Sequence, residues 1–123
     1  ETELDCIDLV VRSMEERDRL AELARSNISD VYLTSAAPQL LEIAHRDAGK
    51  HQGLCFIMEH LDIERESIAA FGDGDNDADM LEFVGCGIAV ANGTPACLAA
   101  ADHVSKSNEE DGVAYGIETI LGL

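Results

Sequence analysis

Ser67-Ile68-Ala69-Ala70-Phe71-Gly72-Asp73-Gly74-Asp75-Asn76-Asp77-Ala78-Asp79-Met80-Leu81 is the stretch on which the fold turns. Ser67–Phe71 is short and nearly continuously apolar, as befits a strand covered on both faces. A polar loop, Gly72–Asp77, follows at its carboxyl end. A helix comes next, with Asp77, Met80, Leu81 and Val84 on one face and Gly85 as its stop. Ligands of open α/β sheets bind beyond the carboxyl ends of strands. Carboxylates placed there bind hard cations through oxygen. Gly72 and Gly74 would let the backbone turn tightly beside a ligand.

Working outward, Lys50–Leu61 carries Leu54, Ile57, Met58 and Leu61 at helical spacing. Cys86–Val90 is a second buried-type strand, and Thr94-Pro95 starts a helix with an N-cap and a proline at N1. His103-Val104 is a short strand. Asn108 is placed to cap a last helix with Val113, Ile117, Ile120 and Leu121 as its stripe. Helix and strand therefore alternate from residue 50 to residue 121, which predicts a parallel sheet with helices on its faces.

The first 44 residues differ in texture. Cys6–Val11 reads as a strand. Ser13 and Glu16 form a capping-box pattern ahead of a helix through Ala24, with Leu20, Leu23 and Ala24 inward. Asp30–Thr34 and Leu40–Ala44 read as a hairpin around Ala36-Ala37-Pro38. The expected fold class is α/β, divided into 1–44 and 45–123, with the boundary between 44 and 49.

Composition narrows the function. The chain has 123 residues and a 46% hydrophobic content, enough for one ordinary domain with a real core. The 25 acidic against 8 basic residues give −17, a field that repels nucleic acid and anionic membranes as partners. The acidic start, Glu1-Thr2-Glu3-Leu4-Asp5, is not expected to be a signal or transit peptide. Cys6, Cys55, Cys86 and Cys97 form no C-x-x-C pair and sit in apolar runs, as buried free thiols do. A reducing, cytoplasmic setting is the expectation. His45, His51, His60 and His103 show no metal-ligand spacing. Met58 and Met80 are core candidates.

Three readings of the acidic loop stand side by side. An EF-hand would need Gly at its sixth and Glu at its twelfth position, where Ala78 and Val84 stand, and a helix before it. A solvated acidic turn without a cation would suffer self-repulsion among Asp73, Asp75, Asp77 and Asp79. A cation site at a strand end is the third.

The order of the parts carries more than any one of them. A lysine opens a helix, G-D-G-D-N-D-A-D-M-L follows a strand at 72–81, G-C-G-I-A-V-A-N-G spans 85–93, and S-N-E-E-D-G-V-A spans 107–114. This closely resembles the C-terminal portion of the haloacid dehalogenase-like (HAD) hydrolases, in their Cof-type sugar-phosphatase branch with a type IIB cap. The resemblance covers 40–121 well. It implies a Rossmann-like partial core, with 1–44 as a remnant of an α/β cap.

The resemblance implies roles residue by residue. Asp73 would be a direct Mg²⁺ ligand. Asp77 would hold the metal's water shell and orient Lys50. Asn76 would contact the phosphoryl group, and Lys50 would neutralise charge on it. A preplaced cation and a metal clamp suit a developing phosphoryl charge. The substrate would be a small phosphorylated metabolite such as a sugar phosphate. Asn92 is read equally as a substrate contact or a turn residue.

Departures qualify the resemblance. The family reads Lys-Gly where Lys50-His51-Gln52-Gly53 stands. No D-x-D-x-T nucleophile motif occurs within the chain, and Ser35 is not assigned to the family's second motif. Without that aspartate no aspartyl-phosphate forms, so this chain alone is expected to be inactive. In the family the nucleophile strand lies beside the strand that ends in Asp73. Its absence would bare a sheet edge and favour self-association. The alternative function is a non-catalytic module that binds Mg²⁺ or a partner protein. The coding sequence ahead of Glu1 separates the two: a D-x-D motif favours the enzyme, a start codon there the module.

Overall fold

The computed structural model describes Asp5–Leu123; the acidic start at Glu1–Leu4 lies outside the described residues. The chain forms two compact units, Glu1–Gly49 and Lys50–Leu123. The loop after His45 belongs to the first unit for a physical reason: the Arg46 N–H donates to the Asp30 carbonyl at 2.8 Å, and its guanidinium pairs with the Asp30 carboxylate at 2.8 Å.

In the first unit, β1 (Cys6–Val10), β2 (Val31–Thr34) and β3 (Leu40–His45) form an antiparallel sheet in the order β1-β3-β2. The expected hairpin is present, with Thr34 opposite Glu42 and Val31 opposite His45. Between β1 and β2 runs α1 (Met14–Asn27). Ser13 Oγ accepts the Glu16 N–H at 3.1 Å, as its sequence predicts. The Glu16 carboxylate reaches back to the Arg12 N–H at 2.8 Å rather than to that of Ser13, so the box closes one residue early. Ala21 and Ala24 are the buried residues of α1, while Leu23 is 59% exposed, contrary to expectation. The small residues let the helix approach the sheet closely.

The second unit is the parallel sheet that the alternation predicts. Its order is β4 (Ala69–Gly72), β5 (Cys86–Ala89), β6 (His103–Val104). In register, Ala69 pairs with Cys86 and Gly72 with Ala89. α2 (Lys50–Leu61) precedes β4, α3 (Ala78–Phe83) joins β4 to β5, and α4 (Pro95–Ala100) joins β5 to β6. Thr94 Oγ1 caps α4 by accepting the Cys97 N–H at 3.3 Å. α5 (Gly112–Tyr115) runs on as a wider π-helical turn, Gly116–Ile120. The core is Leu81, Ala89 and Cys97, with Ala70, Met80, Leu98, Ala100 and Ala101 packed around it.

Several expectations need correction here. Cys97 is buried, but Cys6 is exposed and Cys55 and Cys86 are intermediate; all four are free thiols. Gly85 does not end α3 through a left-handed turn; Val84 leaves the helix in extended backbone. A Cβ at Gly85 would stand 2.5 Å from Glu66 Cα, so close backbone approach is what selects glycine there. Asn108 caps no α-helix; it opens the 3₁₀ turn Asn108–Glu110. No residue of α2 is fully buried, and Ile57 and Leu61 remain 46% and 58% exposed. Val113 and Ile117 in the last helix are likewise exposed. Among the described residues no helix is long and apolar enough to cross a membrane.

Candidate active site

The loop after β4 gathers the residues that the sequence singled out. Asp73 follows the strand directly, and Asp75–Asp77 form a 3₁₀ turn that leads into α3. Gly72 and Gly74 earn their place differently from expectation. Neither has positive φ, since Gly122 is the one such glycine among the described residues. A Cβ on Gly72 would stand 2.5 Å from Asp77 Cβ, and one on Gly74 would stand 2.7 Å from Asn76 Oδ1. Their bare Cα atoms make room for the Asp77 and Asn76 side chains.

Asp77 is the hub. It is 4% exposed. Its Oδ2 accepts the N–H groups of Asp73 and Gly74 at 3.0 and 3.1 Å. Its Oδ1 accepts from Lys50 Nζ, across 27 positions of sequence. Burial alone pushes its pKa up. The Lys50 ammonium and the two N–H donors outweigh burial and hold the carboxyl below the ordinary range. Lys50 stands in the first turn of α2, where a cation opposes the macrodipole. Its partner Asp77 offsets that.

Asp73 differs from Asp77 in that its carboxylate is exposed and takes no hydrogen bond or ion pair among the described residues. Asn76 is half-buried and its side-chain amide is likewise uncommitted among them. Asp73 and Asn76 thus leave an oxygen acceptor and an amide uncommitted in the loop whose Asp77 holds the Lys50 ammonium.

No three His, Cys, Asp or Glu side chains converge on one point among the described residues. Mg²⁺ needs no such cage, because it keeps several waters and takes one or two carboxylates. The donor chemistry of Asp73 fits that ion. Both Asp77 oxygens take hydrogen bonds within the protein, Oδ1 from Lys50 and Oδ2 from the Asp73 and Gly74 N–H groups. Cys97, in the core below, is no nucleophile. Burial, and after it the charges of Asp77, Asp73 and Asp75, push its thiol pKa up.

Two contacts at and next to this loop carry no sequence signal. The Thr94 N–H donates to the Asp73 carbonyl at 2.8 Å, and Asn92 Oδ1 accepts the Asn108 N–H at 2.9 Å. Gly53, the displaced glycine of the lysine motif, lies within α2 with open space around it, so the helix still begins at Lys50.

A family profile described as haloacid dehalogenase-like hydrolase matches residues 2–117. The 5-amino-6-(5-phospho-D-ribitylamino)uracil phosphatase YitU of Bacillus subtilis is 44% identical over 106 residues, 80% of this chain and 39% of its own. A haloacid dehalogenase-like hydrolase structure from B. subtilis superposes with a TM-score of 0.87 at 31% identity, covering 94% of this chain and 40% of that one. A HAD subclass IIB sugar phosphatase superposes with a TM-score of 0.85 at 25% identity, covering 99% and 45%. The chain therefore spans 39–45% of the length of these relatives.

Proposed function

The chain belongs to the haloacid dehalogenase-like hydrolases, and we propose that it is the metal-and-lysine part of a Mg²⁺-dependent phosphohydrolase of the Cof-type branch. In this reading Glu1–Gly49 is cap-derived and Lys50–Leu123 is part of the Rossmann-like core. The substrate is a small phosphorylated metabolite; the ribityl-phosphate and sugar phosphatases among the relatives support a phosphorylated polyol or sugar. A cytoplasmic setting accords with four free thiols.

One observation carries the proposal: Lys50 Nζ held on Asp77, with the Asp73 carboxylate uncommitted at the end of β4. Bound Mg²⁺ would polarise the phosphoryl oxygens as a Lewis acid. Asp73 would be its direct carboxylate ligand, with Asp77 at the rim of its water shell. Lys50, oriented by Asp77, places a positive charge where phosphoryl charge develops. Asn76 donates its amide to a phosphoryl oxygen.

The nucleophilic aspartate is not among these residues. We therefore expect the 123-residue chain alone to hydrolyse no phosphate monoester, while Mg²⁺ shifts the amide resonances of Asp73–Asp77. Titration of the labelled chain with MgCl₂, with a phosphate-release assay alongside, checks both. Unmoved resonances would sink the metal assignment. Mg²⁺-dependent turnover abolished by Asp73→Asn would sink the expected inactivity.

We also propose that the chain self-associates. Among the described residues β4 pairs with β5 alone, which leaves its other edge of N–H and C=O groups unpaired. The α2 stripe of Ile57 and Leu61 adds exposed apolar surface. Sedimentation velocity over a concentration series should show a growing dimer fraction; a clean monomer at high concentration refutes it.

A further inference from the structure

Two loops meet beside the Asp73 loop. The turn Val90–Thr94 follows β5 and is tightened by the Gly93 N–H donating to the Val90 carbonyl at 2.9 Å. On one flank, the Thr94 N–H donates to the Asp73 carbonyl at 2.8 Å. Gly93 also runs so close that a Cβ there would stand 3.3 Å from the Asp73 carbonyl oxygen and 3.5 Å from its Cα. On the other flank, the Ala91 N–H donates to the Lys106 carbonyl at 3.2 Å. There too, Asn92 Oδ1 accepts the Asn108 N–H at 2.9 Å.

All of these bonds but the last join backbone to backbone, and many sequences can form them. The last needs a side chain that reaches across. Asn108 opens a short 3₁₀ turn whose first N–H groups lack partners within it, and the Ser107 hydroxyl at its N-cap accepts none of them, donating instead to the Glu110 carboxylate at 3.1 Å. Asn92, 16 residues earlier, supplies one. The turn after β5 is thus gripped between the loop after β6 and the backbone of Asp73.

We propose that Asn92 is a positioning residue: by holding Asn108 it fixes the turn after β5 against Asp73, and so sets where the Asp73 carboxylate stands. This rests on the reading of Asp73 as a metal-binding carboxylate. Of the two roles open to Asn92 in the sequence, substrate contact and turn residue, its oxygen fills neither alone; it ties two loops together.

Amide exchange and through-bond couplings in the labelled full chain test this. The wild type should show a scalar coupling between the Asn108 amide nitrogen and the Asn92 side-chain carbonyl carbon. Asn92→Leu, which keeps bulk but offers no acceptor, should speed exchange at Asn108 about tenfold, the loss of one hydrogen bond. It should also speed exchange at Thr94, shift the Asp73–Asn76 amides and weaken Mg²⁺ binding about threefold, with β5 exchange unchanged. Asn92→Asp, which keeps an oxygen acceptor, should restore exchange at both amides. Faster exchange at Asn108 with Thr94 and Asp73–Asn76 unmoved would overturn the proposal, as would failure of Asn92→Asp to rescue. If Asn92→Leu unfolds, the wild-type coupling and the Asn92→Asp exchange decide: a missing coupling, or Asn92→Asp exchange at Thr94 as fast as in a free peptide, overturns it. A wild type deaf to Mg²⁺ would refute the metal reading of Asp73, while exchange at Thr94 still decides the role of Asn92.

Discussion

Replacing Asp77 by alanine lowers the free energy of unfolding by about 2–4 kcal/mol, read from the denaturant midpoint of the metal-free chain. The substitution removes three hydrogen bonds together, from Lys50 Nζ and from the N–H groups of Asp73 and Gly74. Two backbone donors then stand in a half-buried loop with no acceptor, and that is the costly part. Lys50→Met is milder, about 1 kcal/mol, because Asp77 keeps the Asp73 and Gly74 N–H donors and the ammonium that is lost is 49% exposed, so its pairing is already screened by water.

The pH dependence follows with a definite sign. Burial raises the Asp77 pKa, and Lys50 with the two N–H donors lowers it by more, so the folded value lies below the unfolded one. Between the two values the unfolded state binds more protons. The stabilisation is therefore complete above about pH 4, the ordinary carboxylate value, and is lost as pH falls through the depressed folded value. Asp77→Ala should flatten that acid limb. Wild type and variant losing stability in parallel below about pH 4 would show that the pairing is not formed in solution.

How much of this was legible depends on the kind of signal. The parallel sheet follows from the short apolar runs at 67–71 and 86–90, set between helical spacings, but only the second is a covered strand: β4 starts at the exposed Ala69, with Ser67 in a 3₁₀ turn before it. The meeting of Lys50 with Asp77 was legible only through the family resemblance, which has Asp77 orient Lys50. A helix leading into a parallel strand and a loop leaving it lie at opposite ends of two antiparallel paths, which puts the start of α2 beside the end of β4. The topology accommodates this contact across 27 residues.

Periodicity also marks which face of a helix is apolar, but not what covers it. That is why the stripes of α2 and of the last helix, read as inward, leave Ile57, Leu61, Val113 and Ile117 exposed while Leu54, Met58, Ile120 and Leu121 are half-buried. Cys6 fails for a related reason. Its alternation in β1 places it on the same face as Asp8, whose carboxylate accepts its thiol at 3.2 Å, so an apolar neighbour in sequence is not one in space. The Asn92–Asn108 bond joins two loops by a side chain of a type common in turns, and nothing local distinguishes it. The π-helical turn at Gly116–Ile120 begins where Gly116 lies against the Phe71 ring, a tertiary contact with no local pattern.

Gly87→Ala should destabilise the chain by about 3 kcal/mol, although it adds one methyl group to a strand. A Cβ at Gly87 would stand 2.3 Å from the Leu81 carbonyl oxygen, 2.9 Å from its carbon and 3.1 Å from its Cα. These are backbone atoms of α3, and no rotamer change relieves the clash. β5 cannot yield either. It is paired to β4 and β6, and Gly87 itself donates to Asp102 Oδ2 at 2.8 Å and accepts from the Asp102 N–H at 2.9 Å. α3 must move instead, and it begins at Ala78, next to Asp77, so the Lys50–Asp77 contact should loosen with it. Gly53→Ala is the control: it sits in α2 with nothing within 4 Å, and alanine there should stabilise by about 0.5–1 kcal/mol. Chemical denaturation of the two variants separates the causes. If both glycines cost the same, backbone propensity is responsible; a loss confined to Gly87 means that the close approach of β5 to α3 is what holds the acidic loop in place.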